Sequence, residues 1–500
     1  MNLCGIMSMS LFGLLILVLG VVFPQIFPGI MKKQLEKKLV LSEDSETIGN
    51  FISPPVPIFM QFYIFNVTNA PAVLEGEKAV LDQIGPFTYE EKRMKFDLFW
   101  ELEDKTVEYQ QNKTFFFRAD MSNGLTEDTL LTVVNPVLIS LGAKFSRLPS
   151  LTHGILQLLA LRHDMSPFIT RKAGHLLYHG YDEPLLEQLS PLTRNPIHAM
   201  GKFGFFFPKN HSSDGIYRIH TGAQGLNTLQ VIDEFQEEPM LPYWLTDVCN
   251  MINGTEGSQF PQPITEDKKL MMYSSDLCRS LYFKFEKKIN HGDLVLNRYT
   301  LPYEVLAKSP ENDCFCSDDF TCRDSMVNLS PCKDGSPVVA STPHFYMGTE
   351  ETINDVVGLN PVKEEHETYL DIEPNTGVTF RAHKRLQINM PLKRYEALPD
   401  LQKVREVILP IMWLNESAVV PVERADALNA KLTVPLIVVR YVCIAMVAMG
   451  VIILLLALAF IVKMCKAPKN EKEKVNEKLK KEAINDYDRS EVYKHLFTKA

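Results

Sequence analysis

Residues 441–462 read YVCIAMVAMGVIILLLALAFIV, and residues 5–27 read GIMSMSLFGLLILVLGVVFPQIF. Neither stretch contains a charged side chain. An α-helix rises about 1.5 Å per residue, so about 20 apolar residues cross the roughly 30 Å hydrocarbon core of a bilayer. The two stretches therefore predict transmembrane helices over residues 7–28 and 440–462, one near each end of the chain.

The N-terminal stretch has the position of a cleaved signal peptide but not its composition. It has no basic region before the apolar run, it is longer than the apolar core of a signal peptide, and no small-residue cleavage motif precedes Lys32. We therefore interpret it as an uncleaved anchor.

Lysines next to the second span indicate the orientation in the membrane. This span is followed at once by Lys463, Lys466, Lys469, Lys472 and Lys474. Because positive charge is retained on the cytoplasmic side, residues 463–500 are predicted to be a cytoplasmic tail. Two spans return the chain to the same side, so residues 1–6 are also predicted to be cytoplasmic and residues 29–439 to be an extracellular or luminal ectodomain. Four lysines after the first span oppose this orientation: Lys32, Lys33, Lys37 and Lys38.

The glycosylation sequons support the predicted orientation. All six lie between the two spans, at Asn66, Asn112, Asn210, Asn253, Asn328 and Asn415. Such sites are used only in the secretory pathway. We expect glycans at these asparagines.

Six of the nine cysteines are clustered in residues 249–332 of the predicted ectodomain: Cys249, Cys278, Cys314, Cys316, Cys322 and Cys332. An even, clustered set in an oxidising compartment predicts three disulfides, although the sequence leaves many pairings open. A zinc site is the alternative, but the spacing of Cys314 and Cys316 is not that of a zinc knuckle. We predict no metal site and no cofactor.

Charge excludes one class of partner. The tail after Val462 holds 11 Lys and Arg against 7 Asp and Glu, which leaves 41 basic and 54 acidic residues in the rest of the chain. A nucleic-acid-binding domain is expected to be basic. The sequence therefore predicts no nucleic-acid partner.

Short segments rich in β-branched and aromatic residues, separated by Gly, Pro, Asn and Asp, predict a mainly antiparallel sheet or barrel. They are Phe59–Val67, Thr114–Arg118, Ile216–Thr221, Leu294–Leu301 and Thr379–Ile388. Residues 129–161 differ, because apolar residues recur there at helical spacing around Pro136 and Pro149. This region is either a buried helical hairpin over one end of the sheet or a surface whose apolar face binds a ligand or partner.

Basic residues follow the apolar helical region. The candidates for binding the carboxylate or phosphate head group of a lipid are Arg162, His163, Arg171 and Lys172. A solvated charged loop is the alternative interpretation.

Enzyme and channel functions find little support. The sequence has no Gly-x-Ser-x-Gly elbow, no His-Glu-x-x-His helix and no Walker loop, so we predict that the protein is not an enzyme. A ligand-gated channel is the second alternative. Pore helices need polar or small faces, whereas the second span is almost uniformly aliphatic, which favours an anchor.

Seven motifs, in order along the chain, resemble the class B scavenger receptor family, which includes fatty acid translocase and the lysosomal integral membrane protein. They are YIFNVTN (63–69), GPFTY (85–89), SDGIY (213–217), CNMINGT (249–255), SSDLCRS (274–280), YLDIEP (369–374) and KRLQIN (384–389). The resemblance implies an α+β fold, with a large antiparallel β-barrel capped by an apical helical region over 129–175 and flanked by the two transmembrane helices. It also implies the disulfides Cys249–Cys314, Cys278–Cys332 and Cys316–Cys322.

The function that this resemblance implies is a cell-surface receptor. Such a receptor binds lipids, fatty acids, sterol esters or lipoprotein particles and passes lipid to the membrane through a hydrophobic tunnel. The plasma membrane is the expected location, and a homo-oligomer is left open as a further partner. The alternative within the family is an endosomal or lysosomal receptor that sorts a protein partner.

The chain ends carry possible regulatory signals. The tail contains Tyr493-Lys-His-Leu496, which resembles an endocytic signal, and it lacks an acidic dileucine ending. Cys4 and Cys465 lie beside the spans and are candidates for palmitoylation.

Overall fold

The protein is described here from a computed structural model that covers residues 3–45, 47–193, 198–466 and 474–481. It divides into two compact units: Leu35–Leu428, which we call the barrel unit, and the combination of Met1–Gln34 with Asn429–Ala500, which we call the helix-pair unit. The predicted α+β fold is confirmed. A nearly closed antiparallel sheet dominates the barrel unit, and two candidate transmembrane helices occupy the chain ends.

One large antiparallel sheet contains most of the strands. In chain order the strands are β1 (Ile58–Val67), β2 (Leu81–Glu101), β3 (Thr106–Phe117), β4 (Leu130–Val134), β5 (Phe168–Lys172), β6 (Tyr181–Asp182), β7 (Lys202–Phe203), β8 (Ser212–His220), β9 (Ile232–Phe235), β10 (Leu270–Ser274), β11 (Arg279–His291), β12 (Leu294–Thr300), β13 (Met326–Asn328), β14 (Val339–Ser341), β15 (Tyr369–Ile372), β16 (Thr379–Leu392) and β17 (Val407–Val419). The large sheet runs in the order β10-β11-β12-β15-β16-β17-β1-β2-β3-β8-β9, and β14 with β13 branches from β16. All five strand segments predicted from the sequence belong to it.

A short extended segment fills the gap between the two ends of this sheet. The amide of Ile232 in β9 donates to the carbonyl of Gly254, and the amide of Thr255 donates to the carbonyl of Met271 in β10. Gly254 has φ +89°, and a Cβ there would lie 2.0 Å from the Met271 carbonyl oxygen. Only glycine therefore allows the chain to approach β10 this closely.

The helices are short, except at the chain ends. They are α1 (Leu3–Leu39), α2 (Ile48–Ile52), α3 (Ala70–Leu74), α4 (Pro136–Phe145), α5 (His153–Arg162), α6 (Pro184–Thr193), α7 (Asp247–Asn250), α8 (Glu350–Asn354), α9 (Lys363–His366), α10 (Val422–Leu432) and α11 (Val434–Lys466). Residues 474–481 are also helical.

The predicted helical region over 129–175 contains α4 and α5, but it begins and ends with strands. β4 and β5 pair with each other and enclose the two helices. The turn into α4 explains the boundary, since Pro136 starts the helix and the Asn135 side chain accepts a hydrogen bond from the amide of Leu138. Helix α4 is mostly buried, and its Gly142 lies against Leu398.

In the helix-pair unit, α1 and α11 contact each other at glycines. Gly20 faces the backbone of Cys443 and Val447, and Gly450 faces the carbonyl of Gly13. Small residues let two apolar helices approach closely, which supports packing where no hydrophobic effect acts between them. Gly450, which is the one glycine of the second predicted span, therefore has a packing role.

Candidate functional site

Among the cavities in the described part of the barrel unit, two are considered as ligand sites because they share part of their lining. The large cavity measures about 340 Å³, and its apolar wall is formed by Phe51, Ile58, Phe380 and Val420 together with neighbouring aliphatic residues. The small cavity measures about 110 Å³ and is lined by residues that include Tyr109, Tyr217 and Phe283. Leu39, the last residue of α1, and Arg424 in α10 also line the large cavity.

The two cavities share one set of lining residues. Both are lined by Arg93, Gln111, Glu256, Lys384 and Glu416. The charged members, together with Glu91 and Lys113, form what we call the charged belt. It follows from the strand register, which pairs Arg93 in β2 with Lys113 in β3 and Lys384 in β16 with Glu416 in β17.

Ion pairs hold the charged belt together. Arg93 donates to Glu91 at 2.6 Å and 3.1 Å and to Glu416 at 2.6 Å. The ammonium of Lys384 lies 3.6 Å from Glu416. Burial opposes ionisation of the Glu416 carboxyl, but Lys384 and Arg93 outweigh it and hold its pKa well below the usual range. The carboxyl therefore stays charged at neutral pH.

The hydrophobic tunnel stays a prediction. The lining that the two cavities share is polar and consists of four charged side chains and that of Gln111. The physical reason is that inward-facing positions alternate along each strand, and in β2 they change from Phe87 and Tyr89 to Glu91 and Arg93. The large cavity therefore combines an apolar wall with a polar one.

The basic residues predicted to bind a head group do not form an unpaired cationic cluster. Lys172 forms an ion pair with Asp128 at 2.7 Å, and the guanidinium of Arg171 lies 4.9 Å from the centre of the Tyr181 ring. His163 lies 3.3 Å from the side-chain oxygen of Gln188. Among the described residues, Arg162, which is exposed in the last turn of α5, is the one candidate that forms no ion pair, side-chain hydrogen bond or ring contact.

A buried carboxyl further reduces the positive charge in that region. Burial raises the pKa of the Glu183 carboxyl, and this effect outweighs a backbone hydrogen bond from Leu185 and the nearby charge of Arg171, which both act to lower it. Carboxyl groups therefore already lie near Arg171 and Lys172. Binding of a head group by Arg162, His163, Arg171 and Lys172 stays a prediction.

Apolar side chains are exposed along one side of α5 and the turn before it. We call this set the α5 ridge: Leu151 is 89% exposed, Ile155 53%, Leu158 70% and Leu161 80%. Their spacing of three or four residues places them on one helix face. Exposed apolar patches of this kind mark interaction surfaces.

Two of the six expected glycan sites are buried. The side-chain nitrogen of Asn328 donates to Thr321 and that of Asn415 donates to Gln61, and both asparagines are buried. Burial disfavours a glycan on either nitrogen, and glycosylation at these two sites stays a prediction. Asn66, Asn112, Asn210 and Asn253 are partly exposed and stay candidates.

The cysteine cluster forms three disulfides: Cys249–Cys314, Cys278–Cys332 and Cys316–Cys322. These are the pairs that the family resemblance implies. Cys4 and Cys465 are exposed thiols, and their palmitoylation stays a prediction. The tail motif at Tyr493 lies outside the described residues. Within those residues, no group of His, Cys, Asp or Glu side chains is placed to bind a metal ion.

One sequence pattern indicates the charged residues of the barrel interior. Glu91, Arg93 and Lys95 occupy alternate positions of one segment, so a strand places them on one face. The sequence alone did not reveal that this face points into the barrel.

Comparison with known proteins gives a consistent result. Residues 11–461 match the profile of the CD36 family. The chain is 34% identical to lysosome membrane protein 2 of Rattus norvegicus, over 90% of this chain and 93% of that protein. It is 28% identical to scavenger receptor class B member 1 of Bos taurus, over 91% of this chain and 88% of that protein, and 32% identical to sensory neuron membrane protein 2 of Manduca sexta, over 79% and 81%.

Proposed function

Because this chain belongs to the CD36 family, we propose that it is a membrane receptor that binds lipids inside its barrel and passes them to the membrane in which it is anchored. The observation that carries the proposal is the large cavity. Its volume of about 340 Å³ lies in the roughly 300–1,000 Å³ range of small-molecule sites, and much of its wall is apolar.

The energetics favour a protected route for a lipid. Each methylene group kept out of water is worth about 0.8 kcal/mol, so a C16 chain gains about 12 kcal/mol in an apolar environment. Unaided escape of such a chain through water is slow. A cavity that shields the chain lowers this barrier without any covalent chemistry, which supports a receptor rather than an enzyme.

The test is lipid uptake by the purified full-length protein. We expect it to take up a fluorescent fatty acid or sterol ester above a heat-denatured control. Ala418 and Val419 are neighbours on β17, but Ala418 lines the large cavity and Val419 is 39% exposed. Ala418→Trp is expected to abolish uptake by filling the cavity, whereas Val419→Trp is expected to retain it. Equal uptake by both variants, or none by the folded wild type, contradicts the proposal.

The α5 ridge supports a second function, the capture of an external partner. A lipoprotein particle and a sorted protein both offer apolar surface to Leu158 and Leu161. Leu158→Glu is expected to weaken capture by at least tenfold while cavity loading is unchanged. Gln157→Glu supplies a control with the same new charge on the same helix. If both variants capture ligand as wild type does, the ridge is not the capture surface.

We propose the plasma membrane as the location, with endosomes or lysosomes as the alternative. The names of the relatives include both a lysosome membrane protein and a scavenger receptor, so they do not distinguish the two. Surface biotinylation of intact cells, compared with lysosomal staining, distinguishes them. Protection of the surface pool from added protease would also contradict the predicted orientation.

A further inference from the structure

Lys95 is a buried lysine whose side chain lines the large cavity. It lies on β2, on the same face as Glu91 and Arg93, and only 4% of its surface is exposed. Its register partner on β3 is Gln111, which lines the same cavity. The ammonium group is therefore inside the barrel unit, next to the apolar wall.

No acid among the described residues forms an ion pair with this ammonium. In the part of the chain that the structure describes, Lys95 forms no ion pair and no hydrogen bond, and its Nζ lies 4.6 Å from the centre of the Phe51 ring and 5.1 Å from that of Tyr109. Aromatic faces attract a cation but supply no negative charge. Burial lowers the pKa of the Lys95 ammonium, and Glu256 only partly opposes this effect.

The other cations of the barrel interior are paired. Arg93 binds Glu91 and Glu416, and Lys113 binds Asp214 at 2.8 Å. Lys384 lies beside Glu416 and donates to the backbone carbonyl of Glu256 at 3.4 Å. Glu256, the acid that acts most strongly on Lys95, forms no ion pair with it within the described residues.

Among the described basic residues that line the large cavity, Lys95 is the one that is both buried and without an ion pair. A buried charge is stable only when it is paired. A ligand that brings a negative charge into this cavity completes the pairing.

We propose that Lys95 selects lipids with an anionic head group, by pairing its ammonium with the head group while the acyl chain lies against Phe51, Ile58, Phe380 and Val420. This inference rests on the proposed lipid-binding function and adds a rule of selectivity to it. A neutral lipid of the same chain length leaves the ammonium unpaired and binds more weakly.

The test compares two probes that differ only in the head group, palmitate and hexadecanol, in direct binding to full-length protein in mild detergent at neutral pH. Lys95→Met removes the charge and keeps an unbranched chain of similar length. We expect this variant to bind palmitate at least tenfold more weakly and hexadecanol within twofold of wild type. Lys95→Arg is expected to retain the preference for palmitate.

Lys92 provides a matched control on the same strand. Its ammonium also lies over an aromatic ring, 5.1 Å from the centre of Phe116, but the side chain is exposed on the opposite face. Lys92→Met is expected to leave both affinities unchanged. If Lys95→Met binds palmitate as well as wild type does, or loses both probes equally while folded, the selectivity inference is wrong.

The wild-type protein provides a test that does not depend on folding of a variant. Saturating palmitate is expected to raise its unfolding temperature more than saturating hexadecanol does. Equal stabilisation by both probes overturns the role of Lys95 but leaves lipid binding intact. Binding of neither probe overturns the proposed function and this inference together. A third probe, palmitoyl lysophosphatidate, carries a phosphate in its head group. Comparing its loss of affinity in Lys95→Met with that of palmitate identifies whether a phosphate or a carboxylate depends more on Lys95.

Discussion

The imidazole rings of His344 and His366 stack inside the barrel unit, with centroids 4.4 Å apart and planes inclined by 27°. His344 Nδ1 accepts the amide hydrogen of Asn360, and His366 Nδ1 accepts that of Val362. Burial lowers the pKa of His344 to about 3, helped by His366, and it lowers the pKa of His366 to about 4, helped by Arg385. Both rings are therefore neutral in the folded protein at neutral pH.

This pair predicts a loss of stability in acid. Unfolded histidine takes up a proton near pH 6.5, whereas the folded rings do so only at about pH 3 and about pH 4. The unfolded chain binds more protons in this window, so the free energy of unfolding falls as pH falls through it. Between pH 7 and pH 5 we expect a loss of about 2 kcal/mol per ring.

Chemical denaturation of the purified protein at a series of pH values measures this loss. His366→Gln is expected to be less stable at pH 7, because it loses the packing and the hydrogen bond, but to show a flatter pH dependence. The prediction is wrong if the variant keeps the wild-type slope between pH 7 and pH 5.

Two adjacent glutamates of β2 are expected to differ in their effect on stability. Glu91 is buried against Arg93 in the charged belt, whereas Glu90 pairs with the more exposed Arg118. Glu91→Gln leaves a buried guanidinium with only Glu416 and is expected to cost about 3 kcal/mol. Glu90→Gln is expected to cost less than about 1 kcal/mol, because water screens that pair. Thermal unfolding of the two variants measures the difference, and equal costs would mean that the belt is solvated.

The closure of the barrel predicts an intolerant glycine. Gly254→Ala places a Cβ into the Met271 carbonyl, so we expect the variant to lose more than about 3 kcal/mol of stability or to fail to fold. Gly124 also has a positive φ, of +80°, but nothing lies within 4 Å of its Cβ position. Gly124→Ala is therefore expected to cost only about 1 kcal/mol. Secretion yield and unfolding temperature compare the two, and a tolerated Gly254→Ala would show that the closure can shift.

Accessibility predicts which sequons carry glycans. Asn210→Gln is expected to increase gel mobility as one glycan is lost, whereas Asn328→Gln and Asn415→Gln are expected to leave it unchanged. The last two asparagines are buried, whereas Asn210 is partly exposed. Mass spectrometry after enzymatic removal of glycans identifies the occupied sites, and a glycan at Asn415 would contradict the predicted burial.

The two terminal helices and several strands could be predicted from the sequence, because they follow from local composition. Charge-free apolar runs can only be buried in a membrane or a core, so the terminal helices were evident from residues 5–27 and 441–462. Alternation and turn residues indicated the strands, because the strand period is a local property of the backbone. The strand ends of the helical region, at Leu131 and Ile169, were missed, because short apolar runs have the same composition in strands and in helices.

Which face of each strand points inward was decided only by the tertiary structure. Glu91, Arg93 and Lys95 are charged residues that resemble a solvated edge in the sequence, yet the closed sheet encloses them. Their partners Lys384 and Glu416 are far away in the chain and meet them through strand register alone. The sequence by itself determined an anchored β-barrel, whereas the cavity, its charged belt and the unpaired Lys95 exist only because folding closes the sheet around them.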